Sequence, residues 1–184
     1  MYNGSKEKKL NMAVIRTYKE HSPKIGDSVF LAETAAIIGD VEIGARSSIW
    51  YGAVLRGDVF HIRVGEDTSI QDNSVIHVTD GRHATIIGDR VTVGHGAIIH
   101  GCTIGDSCIV GMGAIVMDRA NIGARSIVGA GALVTPGTTV PEGHLAVGAP
   151  ARVKRALTDD ELGWIEQSAS HYVELANVYL NEKP

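Results

Sequence analysis

Aromatic residues make up only 5% of this 184-residue chain, with two Phe and two Trp. Helical bundles and sandwiches draw on such side chains for volume, so their scarcity argues for a narrow interior filled by Val, Ile and Ala. Two cysteines exclude a disulfide framework, and in "CTIGDSC" Cys102 and Cys108 read as small core fillers. An excess of positive charge is also missing. Against 21 Asp and Glu stand 17 Lys and Arg, a net charge of -4, so neither nucleic acid nor an anionic membrane is expected as partner. No apolar run approaches the roughly 20 residues of a bilayer span, and the N-terminus lacks the apolar core of a signal peptide. The expectation is a soluble, cytoplasmic protein, with residues 1–12 ("MYNGSKEKKLNM") a flexible polar leader ahead of a second Met.

What the chain does have is glycine, 22 residues, and a clock of six. Aliphatics fall at Ile25, Leu31, Ile37, Ile43, Ile49 and Leu55. The count then stretches to Val64, Ile70 and Ile76, and stretches again to Ile87, Val93 and Ile99. One residue is dropped before Ile104, and the run continues through Val140 to Ala146. Four residues after nearly every aliphatic stands a small or β-branched side chain, and Gly often follows the aliphatic directly. No helix has this period. Short strands joined by corners build a parallel β-solenoid, whose coils stack about 4.8 Å apart and bury their inner faces only against each other.

Three sixes make one triangular coil, and the residue after each aliphatic can then be followed as a column along each of three faces. On the first face this column is Gly at six of seven coils. On the third it reads Ile38, Arg56, His77, His100, Met117, Thr135, so His77 and His100 are neighbours one strand apart despite their distance in sequence. Two imidazoles so placed can share one metal ion, whose nitrogen ligands lie at about 2.0–2.1 Å. His95 belongs to the second face, in the column that holds Asp72, and up to about 16 Å of extended chain separates it from His100. If His95 shares that metal it does so from a neighbouring subunit, which predicts a ring of identical chains, a trimer being the smallest suited to a triangular prism. His21, His61, His83, His144 and His171 lack such company and read as surface residues.

After residue 152 the character changes. Thr158 and Glu161 form a capping box, Leu157 and Leu162 its hydrophobic staple, and Leu162, Ile165, Ala169, Tyr172, Ala176 and Tyr179 recur at three or four. The spacing predicts a C-terminal helix within 153–184, lying on a solenoid domain of residues 13–152.

"RGD" at 56–58, "QD" at 71–72, and His77, His95 and His100 on a hexapeptide β-helix resemble the gamma-class carbonic anhydrases, with "HGCTIG", "VGMGAIVMD" and "GAPAR" adding to the likeness. The resemblance implies a left-handed parallel β-helix and a homotrimer with metal sites between subunits. It also implies Zn2+ or Fe2+ held by His77 and His100 of one chain and His95 of the next. Water activated there would convert carbon dioxide to bicarbonate. Carried over residue by residue, Gln71 orients the water, and Arg56, Asp58 and Asp72 form an interface network that also orders the site. Tyr172 is a candidate to reach the cleft from the helix. The family's most active archetype has a glutamate where this chain has Val59, a second in an acidic loop replaced here by "VTDGRHAT", and Asn where Ser69 stands. Without those proton-transfer carboxylates, hydration is expected to be weak or absent even with metal bound. Two other readings stand beside it: acyl-CoA thioesterase or acyltransferase chemistry on the same fold, and a non-catalytic metal-binding scaffold.

Overall fold

The computed structural model describes residues 13–182; the leader proposed for residues 1–12 lies outside them. The chain is a parallel β-solenoid followed by one helix. Each face carries seven parallel strands. The first face starts at Lys24–Ile25 and ends at Thr139–Val140, the second runs from Phe30–Leu31 to His144–Gly148, and the third from Val14–Arg16 to Leu133–Val134. Two long strands, Ala36–Ile43 and Val54–Val64, turn the corner from the third face to the first and join those faces into one sheet. The register is the one the period demands: Ile37 pairs with Leu55, Ile76 with Ile99, and His77 with His100.

The interior is the stacked aliphatics. Ile37, Leu55, Ile76, Ile99 and Val116 are fully buried, each such side chain contributing about 1.5–3 kcal/mol on burial. Hydroxyls at the small position answer carbonyls that the corners leave open. Ser47 Oγ donates to Gly65 O, Thr68 Oγ1 to Gly88 O and Ser126 Oγ to Pro141 O, at 2.8 to 2.9 Å. That need for a buried donor explains Ser and Thr among the Ala and Val. Cys102 and Cys108 are buried free thiols, and burial pushes them up to about 12 and about 11, which keeps them protonated fillers.

The solenoid's irregularities fall at one corner, between the third and first faces. Leu55 to Val64 and Ile76 to Ile87 are the long passages, and Ile99 to Ile104 is the short one. The longest makes a loop in which Thr79 and His83 pair through their backbones. At the far end the chain turns through a cis Ala149–Pro150 bond, and Ala151–Ala156 pairs antiparallel with His144–Gly148, covering the last edge of the second face. The six-residue period carries no signal for this strand.

The helix α1, Asp159–Asn181, begins with the anticipated box: Glu161 N donates to Thr158 Oγ1 at 3.2 Å and Thr158 N donates to Glu161 Oε2 at 2.9 Å. Leu157 and Leu162 pack with Ile165, Ile109 and Ile127. Ile165, Ala169 and Ala176 are buried on the second face. Tyr179 closes an aromatic group with Phe30, Trp50 and Tyr51, so these four aromatics serve helix docking, while Phe60 packs against the solenoid core.

Candidate metal centre

The predicted residues gather in two clusters at opposite ends of the third face. Arg56, Asp58, His77 and His100 meet at the third-to-first corner. Arg56 donates to Asp58 Oδ2, and Asp58 Oδ1 accepts from His77 Nε2 at 3.1 Å. His77 Nδ1 lies 3.2 Å from His100 Nε2, and His100 Nδ1 meets Asp118 Oδ1 at 2.7 Å. Thr79 Oγ1 then donates to Asp118 Oδ2 at 2.9 Å. The result is a continuous polar run from Arg56 to Thr79 over four coils, with the side chains of Asp58 and His77 only 16% and 18% exposed.

Charge in this run is set by burial against hydrogen bonding. Burial disfavours ionised Asp58, but hydrogen bonds from Arg56 and His77 outweigh it and hold the carboxyl below its usual range. For Asp118, burial is likewise outweighed by the bonds from His100 and Thr79. Burial lowers the pKa of His77 by more than Asp58 raises it, so the neutral ring is favoured near pH 7. Each carboxylate then takes one ring N–H, from His77 Nε2 and His100 Nδ1. This leaves His77 Nδ1 and His100 Nε2 turned to each other, placed either to share a proton or to take a cation between them. Two nitrogens at about 2.0–2.1 Å from one ion and a tetrahedral angle apart would be about 3.3 Å from each other, close to the 3.2 Å seen. The donor set fits a metal.

Gln71, Asp72, His95 and Tyr172 form the other cluster, at the second-to-third corner beside α1. His95 Nδ1 meets Asp72 Oδ2 at 2.8 Å, which leaves Nε2 free. Gln71 is nearly buried and reaches Tyr172; burial raises the Tyr172 pKa, the charge of Asp72 adds to this, and the contact with Gln71 opposes it. These residues open on a groove of about 350 Å³ between α1 and the second face, walled largely by Met112, Trp164, Ile109 and Ile127. Within one chain, the anticipated network is therefore divided: Asp72 accompanies His95, away from Arg56 and Asp58. Among the described residues no three His, Cys, Asp or Glu side chains are grouped to hold a metal within one chain.

Sequence reasoning passed over Asp118, Thr79 and Thr85. Thr85, fully buried, donates through Oγ1 to His77 O and accepts from Gly101 N, clamping the backbones of both histidine strands. Two signals were available: Asp118 ends "VGMGAIVMD", and it is the lone charge two residues after the third-face aliphatics. His83, read as a surface residue, packs beside Gly101 at this same corner.

Repeat, register and corner geometry define a hexapeptide-repeat β-helix protein. Family models described as bacterial transferase hexapeptide (six repeats) match residues 22–57 and 101–136, and one described as hexapeptide repeat of succinyl-transferase matches 84–117. A protein of Methanocaldococcus jannaschii named a probable carbonic anhydrase is 48% identical over 83% of this chain and 95% of its own. Gamma carbonic anhydrase 2, mitochondrial, of Arabidopsis thaliana is 48% identical over 89% of this chain, which spans 60% of that relative's length. Among solved structures, a hexapeptide transferase family protein from Anaplasma phagocytophilum superposes with a TM-score of 0.87 at 47% identity, covering 90% of this chain and 98% of that one. The chain belongs to the gamma carbonic anhydrase family.

Proposed function

We propose that this protein catalyses the reversible hydration of carbon dioxide to bicarbonate as a metal-dependent homotrimer. The observation that carries the reading is the pair of facing ring nitrogens, His77 Nδ1 and His100 Nε2, 3.2 Å apart, with a third histidine, His95, oriented by its own carboxylate but set at another corner. A second copy of the chain supplies that third donor. Exposed Val75 and Ile98, adjacent on the third face between the two clusters, give the apolar surface on which copies meet.

In this assembly His77 and His100 of one subunit and His95 of the next hold a divalent ion, zinc or iron, since imidazole suits both. Bound there, the ion supplies the Lewis acidity that makes water a nucleophile near neutral pH. Asp58, Asp72 and Asp118 each fix one imidazole. Gln71, next to His95, orients the attacking water, and Arg56 holds Asp58 ionised and in place. Tyr172 walls the groove through which a small apolar substrate arrives. Val59 puts no carboxylate beside this cluster, so proton release to buffer limits turnover.

Metal analysis of protein purified without oxygen, with stopped-flow hydration of wild type and His95→Ala, tests the reading. Stoichiometric metal and hydration above the buffer rate, both lost on substitution, support it. A monomer with metal fully bound, or metal without hydration, sinks it.

A second reading, transfer or hydrolysis of a coenzyme A thioester, draws on the groove, whose apolar walls exceed what carbon dioxide needs, and on the transferase description of the Anaplasma structure. Release of free thiol from acetyl-CoA, dependent on His95, would favour it.

A further inference from the structure

Each of the three histidines has one carboxylate. Asp58 serves His77 and Asp72 serves His95, and both lie in the motifs that mark the family resemblance. The third, Asp118, closes the "VGMGAIVMD" stretch of the same resemblance, but no role was carried over to it. It stands one coil beyond His100 and reaches back to it across Gly101, where a Cβ would lie 2.3 Å from Asp118 Oδ1. Its other oxygen takes the Thr79 hydroxyl from the longest corner of the solenoid, so the lengthened corner after His77 and the shortened one after His100 converge on this one group.

We infer that Asp118, braced by Thr79, is the positioning residue that keeps the proton of His100 on Nδ1 and so turns Nε2 toward His77. The physical reason is that a neutral imidazole carries one proton, and the nitrogen facing an ionised carboxylate is the one that keeps it. Thr79 occupies the second carboxylate oxygen, which fixes the plane of the group. The inference rests on the metalloenzyme reading, yet half of it is visible without any metal.

In metal-free protein, 15N NMR of the His100 ring should show the Nδ1–H form in wild type, and its loss in Asp118→Ala. Zn2+ affinity, measured by chelator competition, should fall on the order of 10–100-fold in Asp118→Ala. Thr79→Ala should lose less, with Thr79→Ser restoring the wild-type value, a rescue that a merely structural role would not show. Where Asp118→Ala does not fold, the Thr79 pair reads the same ring. Unchanged His100 protonation or wild-type Zn2+ affinity in Asp118→Ala overturns the inference. A wild type that takes up no Zn2+, while Asp118→Ala still moves the His100 proton, defeats the metalloenzyme reading and leaves the positioning standing.

Discussion

The two histidine clusters are built to different standards of rigidity. At the third-to-first corner, His77 and His100 are locked into a hydrogen-bonded run with a carboxylate at each end, and Thr85 pins the backbones beneath them. At the second-to-third corner His95 has one carboxylate and a side chain 49% exposed, and it looks along an open groove. A connected, partly buried network holds its members in one arrangement, whereas a lone half-exposed imidazole keeps more freedom. On the proposed reading, the first cluster supplies two of three metal ligands, and the second is a donor with space in front of it. The difference teaches that neither cluster by itself groups three metal-ligating side chains within the described residues of one chain.

The strongest way to break this comparison is complementation. His95→Ala and His100→Ala should each lose metal and fall to the buffer rate of hydration. Subunits of the two variants refolded together should recover about one quarter of the sites, because a site is intact when the His95→Ala chain supplies His77 and His100 and the other chain supplies His95. No recovery, read by metal content of the mixture, would place all three ligands in one chain.

Two glycines sharpen the contrast in rigidity. Gly101, beside His100, has φ +55 and no room for a Cβ; Gly96, beside His95, has φ +67 and open space. Gly101→Ala combines left-handed strain with a collision against Asp118, an expected loss of about 2–4 kcal/mol. Gly96→Ala carries the strain alone, about 1–2 kcal/mol. Denaturant unfolding of the metal-free variants checks the order, and equal losses would mean that the two corners are equally tight.

Adding a carboxylate to the rigid side is the next test. Val59 is 36% exposed and its carbonyl accepts from Gly81 N at 3.1 Å, which ties it to the loop over His77. Val59→Glu should raise hydration about tenfold or more in weak buffer and have little effect in concentrated imidazole buffer.

The smallest effect concerns the helix that walls the His95 groove. Glu161 is held down to about 2 by its hydrogen bond to Arg155 and by the Thr158 N–H. Its folded pKa lies below the ordinary 4.5, so its contribution to the start of α1 is complete above about pH 4.5 and is lost as pH falls toward 2. Hydrogen exchange in the first turns of α1 should therefore quicken over that window. In Glu161→Gln it should be fast throughout.

Much of the site was legible in the sequence because a solenoid turns sequence distance into spatial distance by simple counting. His77 and His100 were neighbours as soon as the clock was kept through its long passage, and Asp72 fell beside His95 for the same reason. The helix was legible from Thr158, Glu161 and its apolar stripe. Tyr172 was undecided in the sequence, since a stripe position does not say which face the helix covers; docking on the second face puts it beside Gln71.

By itself the sequence determined the period, the three faces, the stacked columns and the separation of His95 from the other two histidines. These follow from local spacing, because every coil repeats the pairing of the one before. Only the tertiary structure decided that Asp118 returns across Gly101 to His100, that Thr79 reaches it from a neighbouring corner, and that Ala151–Ala156 folds back as an antiparallel edge. Those contacts depend on where side chains point at irregular corners and on the shape left at the end of the stack, and no count along the chain contains either.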